Sequence, residues 1–181
     1  MIALVFDTET TGLFKPEHRI IEISARVCNL ATFREDKEYL WRFDPQRNID
    51  AKALAVHGIP LEELKGKPLI GTVLPEFVQL IKDSDVVISH NGVHFDEPFI
   101  RMECERNEIE CPEFYHFDTM LKGNFATDLG KSPSLRELAW CLDVDYDLTL
   151  AHKGDYDTAV LRDCVFNGVK RGWFNIQKEE E

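Results

Sequence analysis

The chain has 181 residues, 44% hydrophobic and 30% charged, with a formal net charge of −12 at pH 7. That is enough for one soluble globular domain with a sizeable core, and no apolar run approaches the roughly 18 residues needed to span a bilayer. The acidic excess argues against a nucleic-acid binder with a broad basic face, and against tight non-specific binding of duplex.

Ile2 to Phe6 is a continuous apolar run, the pattern of a strand buried on both faces. Turn chemistry follows in Thr10-Thr11-Gly12 and Lys15-Pro16-Glu17. Arg19 to Cys28 alternates Ile21, Ile23, Ala25 and Val27 with Glu22, Ser24 and Arg26, which predicts a half-buried strand. Tyr39 to Phe43 reads as a third strand, and Ala51 to His57 as a short helix with Asp50 available to cap it. Thr72 to Ile81 carries a helical apolar stripe, and Asp85 to Ser89 is a second buried-type strand. Glu97 to Arg106 is helical in pattern, Phe114 to Phe117 a short strand, and Ser134 to Leu142 a helix. Tyr156 to Arg171 is a last long helix with Val160, Leu161, Cys164, Val165 and Val169 inward. Three strands in hairpin connection, then strands alternating with helices, predict an α/β mixed sheet flanked by helices. One domain over 1–175 is expected, followed by an acidic tail over 176–181. Trp140, Phe166, Trp173 and Phe174 read as core or C-terminal packing. The five cysteines, Cys28, Cys104, Cys111, Cys141 and Cys164, form no Cys-x-x-Cys pair. They suit reduced thiols in a cytoplasmic protein.

Three segments carry chemistry. Asp7 and Glu9 sit where the first strand runs out, and residues i and i+2 of a strand face the same way. Two converging carboxylates repel unless a cation lies between them, and oxygen-rich sites suit Mg²⁺ or Mn²⁺. A polar turn is the plainer reading of the pair. Asp96 falls at a strand-to-helix junction, where capping the helix is the alternative to ligation. His90 and His94 read as structural or solvent-facing. His152 and Asp157 flank the start of the last helix, and His is the natural proton acceptor near neutral pH. Asp155 is a rival acid in that loop. Singly these signals are weak; together they supply what two-metal phosphodiester cleavage requires.

The order Asp7-Thr8-Glu9-Thr10-Thr11-Gly12, then His90-Asn91…Phe95-Asp96…Phe99, then His152…Asp157, resembles the DEDDh, DnaQ-like exonucleases over nearly the whole chain. These include the proofreading subunit of the bacterial replicative polymerase. One extra residue between Asn91 and Asp96 makes the middle segment more similar to the three-prime repair and phage-like branch. The resemblance implies a ribonuclease H-like fold with a five-stranded mixed sheet, three strands antiparallel and two parallel. It implies that Asp7, Glu9, Asp96 and Asp157 ligate two Mg²⁺ or Mn²⁺ ions and that His152 is the general base. The implied reaction is 3′→5′ release of nucleoside 5′-monophosphates from DNA 3′ ends, single strands preferred. A polymerase or repair partner is compatible with it, and a membrane is not. Ala55 to Ile59, with His57, is similar to a family segment that contacts the terminal nucleotide.

For end recognition the expected groups are the backbone from Thr8 to Thr10, His57, and Leu13 or Phe14 as a wedge or stacking surface. Phe14 as a core residue is the alternative. Asn91 either binds substrate or secures its own loop, and the loop is preferred. Gly154 stands where the family often has Ala, a departure expected to loosen the loop bearing His152. Rival functions are trimming of RNA 3′ ends and a non-catalytic binding or polymerase-associated module.

Overall fold

The computed structural model describes residues 1–177. Its centre is a five-stranded sheet in the order β3-β2-β1-β4-β5, made of β1 (Ile2–Thr10), β2 (Ile20–Asn29), β3 (Arg34–Arg42), β4 (Val86–Ser89) and β5 (His116–Asp118). β1, β2 and β3 pair antiparallel, whereas β4 joins β1 and β5 joins β4 in parallel. The mixed sheet follows the expectation; β1 and β3 run longer than the apolar runs that predicted them. Expected helices recur as α1 (Ala51–His57), α3 (Leu74–Lys82), α4 (Asp96–Arg106), α6 (Leu135–Cys141) and α7 (Gly154–Lys170). The short α2 (Leu61–Leu64) and α5 (Thr119–Lys122) lie between them. Residues 178–181 of the expected tail lie outside the described residues. Among the described residues no helix is long and apolar enough to cross a membrane.

Side-chain alternation on β1 divides the core. Leu4 and Phe6 pack with Phe77, Ile81, Phe99 and Ile100 of α3 and α4. Ala3 and Val5 pack with Leu138, Leu161, Cys164 and Val165 of α6 and α7. The period of two then carries Asp7 and Glu9 onto the α6/α7 face, the side from which Asp157 comes.

Three local expectations are corrected. Asp50 stands at the N-cap of α1 without a side-chain cap bond and lies 3.5 Å from His18 Nε2 instead. Asp96 is the first residue of α4 and caps nothing, because its carboxylate turns back to β1. β2 is buried on both faces: Glu22, Ser24 and Arg26 are 2%, 1% and 5% exposed. Its polar face lies under α7, where Ser24 Oγ meets Thr158 Oγ1 at 2.7 Å and Arg26 donates to the Asp155 carbonyl at 2.9 Å. Buried polar groups survive there because each has a partner.

Candidate active site

Asp7, Glu9, Asp96 and Asp157 converge at the C-terminal end of β1, with Asp7, Asp96, Asp157 and His152 in the wall of one open cleft of about 670 Å³. Asp96 is positioned by Thr8, whose backbone N–H and Oγ1 donate to its Oδ1 at 3.0 and 2.6 Å. This is possible because β4 pairs with β1 only as far as Val5, leaving the Thr8 amide free to reach past the end of the sheet. Asp157 is set by the loop before it, the His152 amide donating to its Oδ2 at 2.9 Å, while the Tyr146 hydroxyl stands 3.5 Å from its Oδ1. His152 itself is exposed and holds a left-handed backbone with φ of 62°.

Crowding and burial act together on these acids. Burial, then the charges of Asp96, Glu9, Asp157 and Glu22, hold the Asp7 carboxyl well above the usual range. Burial, then Glu22, Asp157 and Asp96, push Glu9 up to about 9. Asp96 rises to about 6 through burial, against the pull of the Thr8 bonds. Burial also raises Asp157, opposed by the His152 amide. Four carboxylates that resist ionisation side by side form a cluster poised for cations. The donors are all carboxylate oxygens, which fits hard divalent ions such as Mg²⁺ or Mn²⁺. Among the described residues no three acidic, His or Cys side chains are drawn in far enough to close round one cation. The acids are gathered, not closed.

Beside the cleft lies an apolar pocket of about 370 Å³ walled by Leu13, Phe14, Val56, His57 and Phe95, with Glu9 at its rim. Leu13 and Phe14 are 76% and 60% exposed, so Phe14 is not a core residue. Their loop is clamped from behind: Arg106 donates to the carbonyls of Lys15, Pro16 and His18, and the His18 ring packs on Gly12. His57 is buried; Nδ1 accepts from the Ile59 amide at 3.0 Å, and Nε2 has no partner in good hydrogen-bond geometry.

Thr8 and Thr10 are both 4% exposed; Thr8 commits its donors to Asp96, and Thr10 Oγ1 donates to the Gly12 carbonyl. Asn91 lines the cleft in a left-handed turn with φ of 70°, held by Asp118, which accepts from the amides of Asn91 and Val93 at 3.0 and 3.1 Å. His90 is structural, bonded to Thr119 Oγ1 and the Pro133 carbonyl. Gly154 is no loose hinge: it is buried, and a Cβ there would stand 2.7 Å from Glu22 Oε1. Asp155 points to solvent.

Glu22 is the residue the sequence reading missed. It is the cross-strand neighbour of Glu9 and is held by Arg42 Nε at 2.6 Å. Its one signal was a carboxylate opposite Glu9 in the hairpin register.

The exonuclease family (RNase_T) matches residues 4–163. DNA polymerase III subunit epsilon of Rickettsia prowazekii is 36% identical over 98% of this chain and 80% of its own length. The PolC-type DNA polymerase III of Mycoplasmopsis pulmonis is 28% identical over 97% of this chain, which spans 12% of that polymerase. The fold is shared with Escherichia coli exonuclease I in a single-stranded DNA complex, at TM-score 0.81 and 16% identity, covering 94% of this chain and 41% of that one. It is shared also with the nuclease domain of 3'hExo, described as a DEDDh family member bound to rAMP, at TM-score 0.74 and 17% identity over 99% and 97% of the two chains. Matched along its length by the family model and by an epsilon subunit, the chain belongs to the exonuclease family.

Proposed function

We propose that this protein is a 3′→5′ exonuclease that removes nucleoside 5′-monophosphates from single-stranded DNA ends. The observation that carries the reading is the meeting of four carboxylates and one histidine beside an apolar pocket sized for one nucleoside. Asp7, Glu9, Asp96 and Asp157 would hold two divalent cations, with Asp96 acting mainly through bound water. When bound, such ions lower the pKa of water and offset charge on the attacking and leaving oxygens.

The chain's own residues do the rest. His152, exposed at the cleft rim, takes the proton as water attacks the terminal phosphorus and the P–O3′ bond breaks. The bond from the His152 amide to Asp157 ties that base to the acid cluster. Leu13 and Phe14 present apolar surface to the last base on a loop that cannot swing away. His57 Nε2, buried without a good partner, supplies an N–H donor for the terminal sugar, since its Nδ1 already accepts from the Ile59 amide. Asn91 borders the path from its fixed turn. The likeness to epsilon subunits supports a DNA end and a polymerase partner, and a soluble cytoplasmic setting goes with that reading.

The test is degradation of a 5′-labelled single-stranded DNA and its RNA counterpart with Mg²⁺, Mn²⁺ or EDTA, alongside Asp7→Ala. A metal-dependent ladder shortening from the 3′ end, absent in the variant, is expected with DNA. Faster loss of the RNA would establish the exoribonuclease reading instead. No cleavage of either would sink the catalytic assignment for the isolated chain.

A further inference from the structure

Arginine in this acidic chain is mostly committed to acid. Of its ten arginines, Arg26, Arg34, Arg42, Arg101, Arg106, Arg162 and Arg171 each have a carboxylate within 4.0 Å. Arg136 does not, and among the described residues it is the one arginine or lysine in the wall of the acidic cleft. Its place on α6 explains why it stays unpaired. The adjacent acid, Glu137, is consumed by a capping box with Ser134 and by Lys131 Nζ at 2.8 Å. One turn on, the guanidinium lies 4.9 Å from the centre of the Trp140 ring, which is 60% exposed. This corrects the reading of Trp140 as packing, whereas Trp173, 46% exposed, packs against Phe125 at the C-terminal end, and Phe166 and Phe174 are buried. The helix is fixed to the site, since the Pro133 carbonyl bonds His90 beside the cleft and Leu138 and Ala139 sit in the core. The result is a pre-placed fork of donors over an indole, at the edge of a cleft whose other lining includes the four acids and no further arginine or lysine.

We infer that Arg136, steadied by Trp140, binds a phosphodiester of the strand upstream of the scissile bond. This rests on the exonuclease reading and extends it. The four carboxylates repel a polyanion wherever cations do not intervene, and cations held by them would neutralise only the reacting end. The strand therefore leaves past Arg136, the one arginine or lysine among the described residues that line this cleft. As a binding residue for the upstream strand, Arg136 has no part in bond breaking, so a substrate with no upstream phosphate must be indifferent to it.

The experiment uses two substrates and one binding titration. Arg136→Gln and Arg136→Lys are compared with the parent on the p-nitrophenyl ester of thymidine 5′-monophosphate and on single-stranded oligothymidylate, both with Mn²⁺. Fluorescein-labelled oligothymidylate is titrated onto Asp7→Asn protein with and without Arg136→Gln across a salt series. Losing a charge-assisted bond predicts a fall on the order of tenfold in kcat/KM on the oligonucleotide relative to the ester. The salt slope of binding should become shallower by about 0.7, one single-strand phosphate contact. Lysine should restore the slope more than the affinity. An unchanged affinity and slope would overturn the inference, as would an equal loss on ester and oligonucleotide, which would mean that Arg136 acts on the acid cluster. Failure of the parent to turn over either substrate would instead refute the exonuclease reading, while the titration still decides the phosphate contact.

Discussion

Gly92→Ala tests how tightly the site is built. A Cβ there would stand 1.8 Å from Ser89 Oγ, 2.6 Å from Ser89 Cβ and 3.1 Å from Asp96 Oδ2. Rotating the serine hydroxyl does not relieve this, because the Cβ contact remains. Ser89 is fully buried at the end of β4, with its Oγ 2.6 Å from His116 Nε2, and His116 is held in turn by Glu97 at 2.7 Å. Nor can the loop yield without losing the bonds from Asn91 and Val93 to Asp118. Something must move by more than an ångström, and Asp96 is the side chain nearest the cleft. Overpacking of this kind costs about 1–3 kcal/mol. At about 2–4 °C per kcal/mol for a domain of this size, Tm should fall by roughly 2–12 °C. A misplaced Asp96 should lower kcat on the order of 10²-fold beyond that. Circular dichroism melts and Mn²⁺-dependent turnover well below Tm read the two effects separately. Ser89→Gly in the same chain should recover part of both. Unchanged Tm and kcat in Gly92→Ala would refute the argument that space at residue 92 sets Asp96.

Other outcomes follow from the same geometry. In EDTA, Asp7, Glu9 (from 4.5 to about 9) and Asp96 (about 6) keep protons that the unfolded chain has already lost. The folded state then binds more protons, so metal-free stability should fall as pH rises from about 5 to 9. Asp7→Asn should raise the metal-free Tm at pH 8 and flatten that slope while abolishing turnover; a slope that survives in the variant contradicts the assignment. His152→Ala should lose on the order of 10²–10⁴-fold in kcat with Mn²⁺ affinity intact, measured by calorimetry. Leu13→Ala and Phe14→Ala, both on exposed side chains, should leave Tm nearly unchanged and raise KM for oligonucleotides. Loss of kcat alone would remove them from end binding.

The sheet could be read from sequence because its signals are local: an apolar run for β1, alternation for β2, a stripe for α3. Asp7, Glu9 and Asp157 could be placed because period-two strands and helix starts fix where short acids point. What escaped depends on contacts distant in sequence. The polar face of β2 looked solvent-facing because alternation does not say what lies above a strand, and α7 arrives more than 120 residues later with Thr158 and the Asp155 carbonyl. Gly154 looked like a weakness for the same reason, although it is the space Glu22 occupies. Thr8 and Asp96, 88 positions apart, meet only because β4 stops short of β1. Arg136 carried no sequence signal, since its isolation depends on Glu137 being occupied elsewhere.

β1 is the middle strand of five, and it carries Asp7 and Glu9. His152 sits on a loop whose hydrogen bonds are few, at Leu150, Lys153 and its own amide. Amide hydrogens of Leu4 to Phe6 should exchange with solvent only when the whole domain opens, whereas those around 150–153 should exchange through local openings. On that outcome the candidate site would be divided by timescale: an anvil that holds still for the lifetime of the fold, and a hammer that lifts many times within it. Substrate that stills the 150–153 segment would show itself as slowed deuterium uptake there and nowhere on β1.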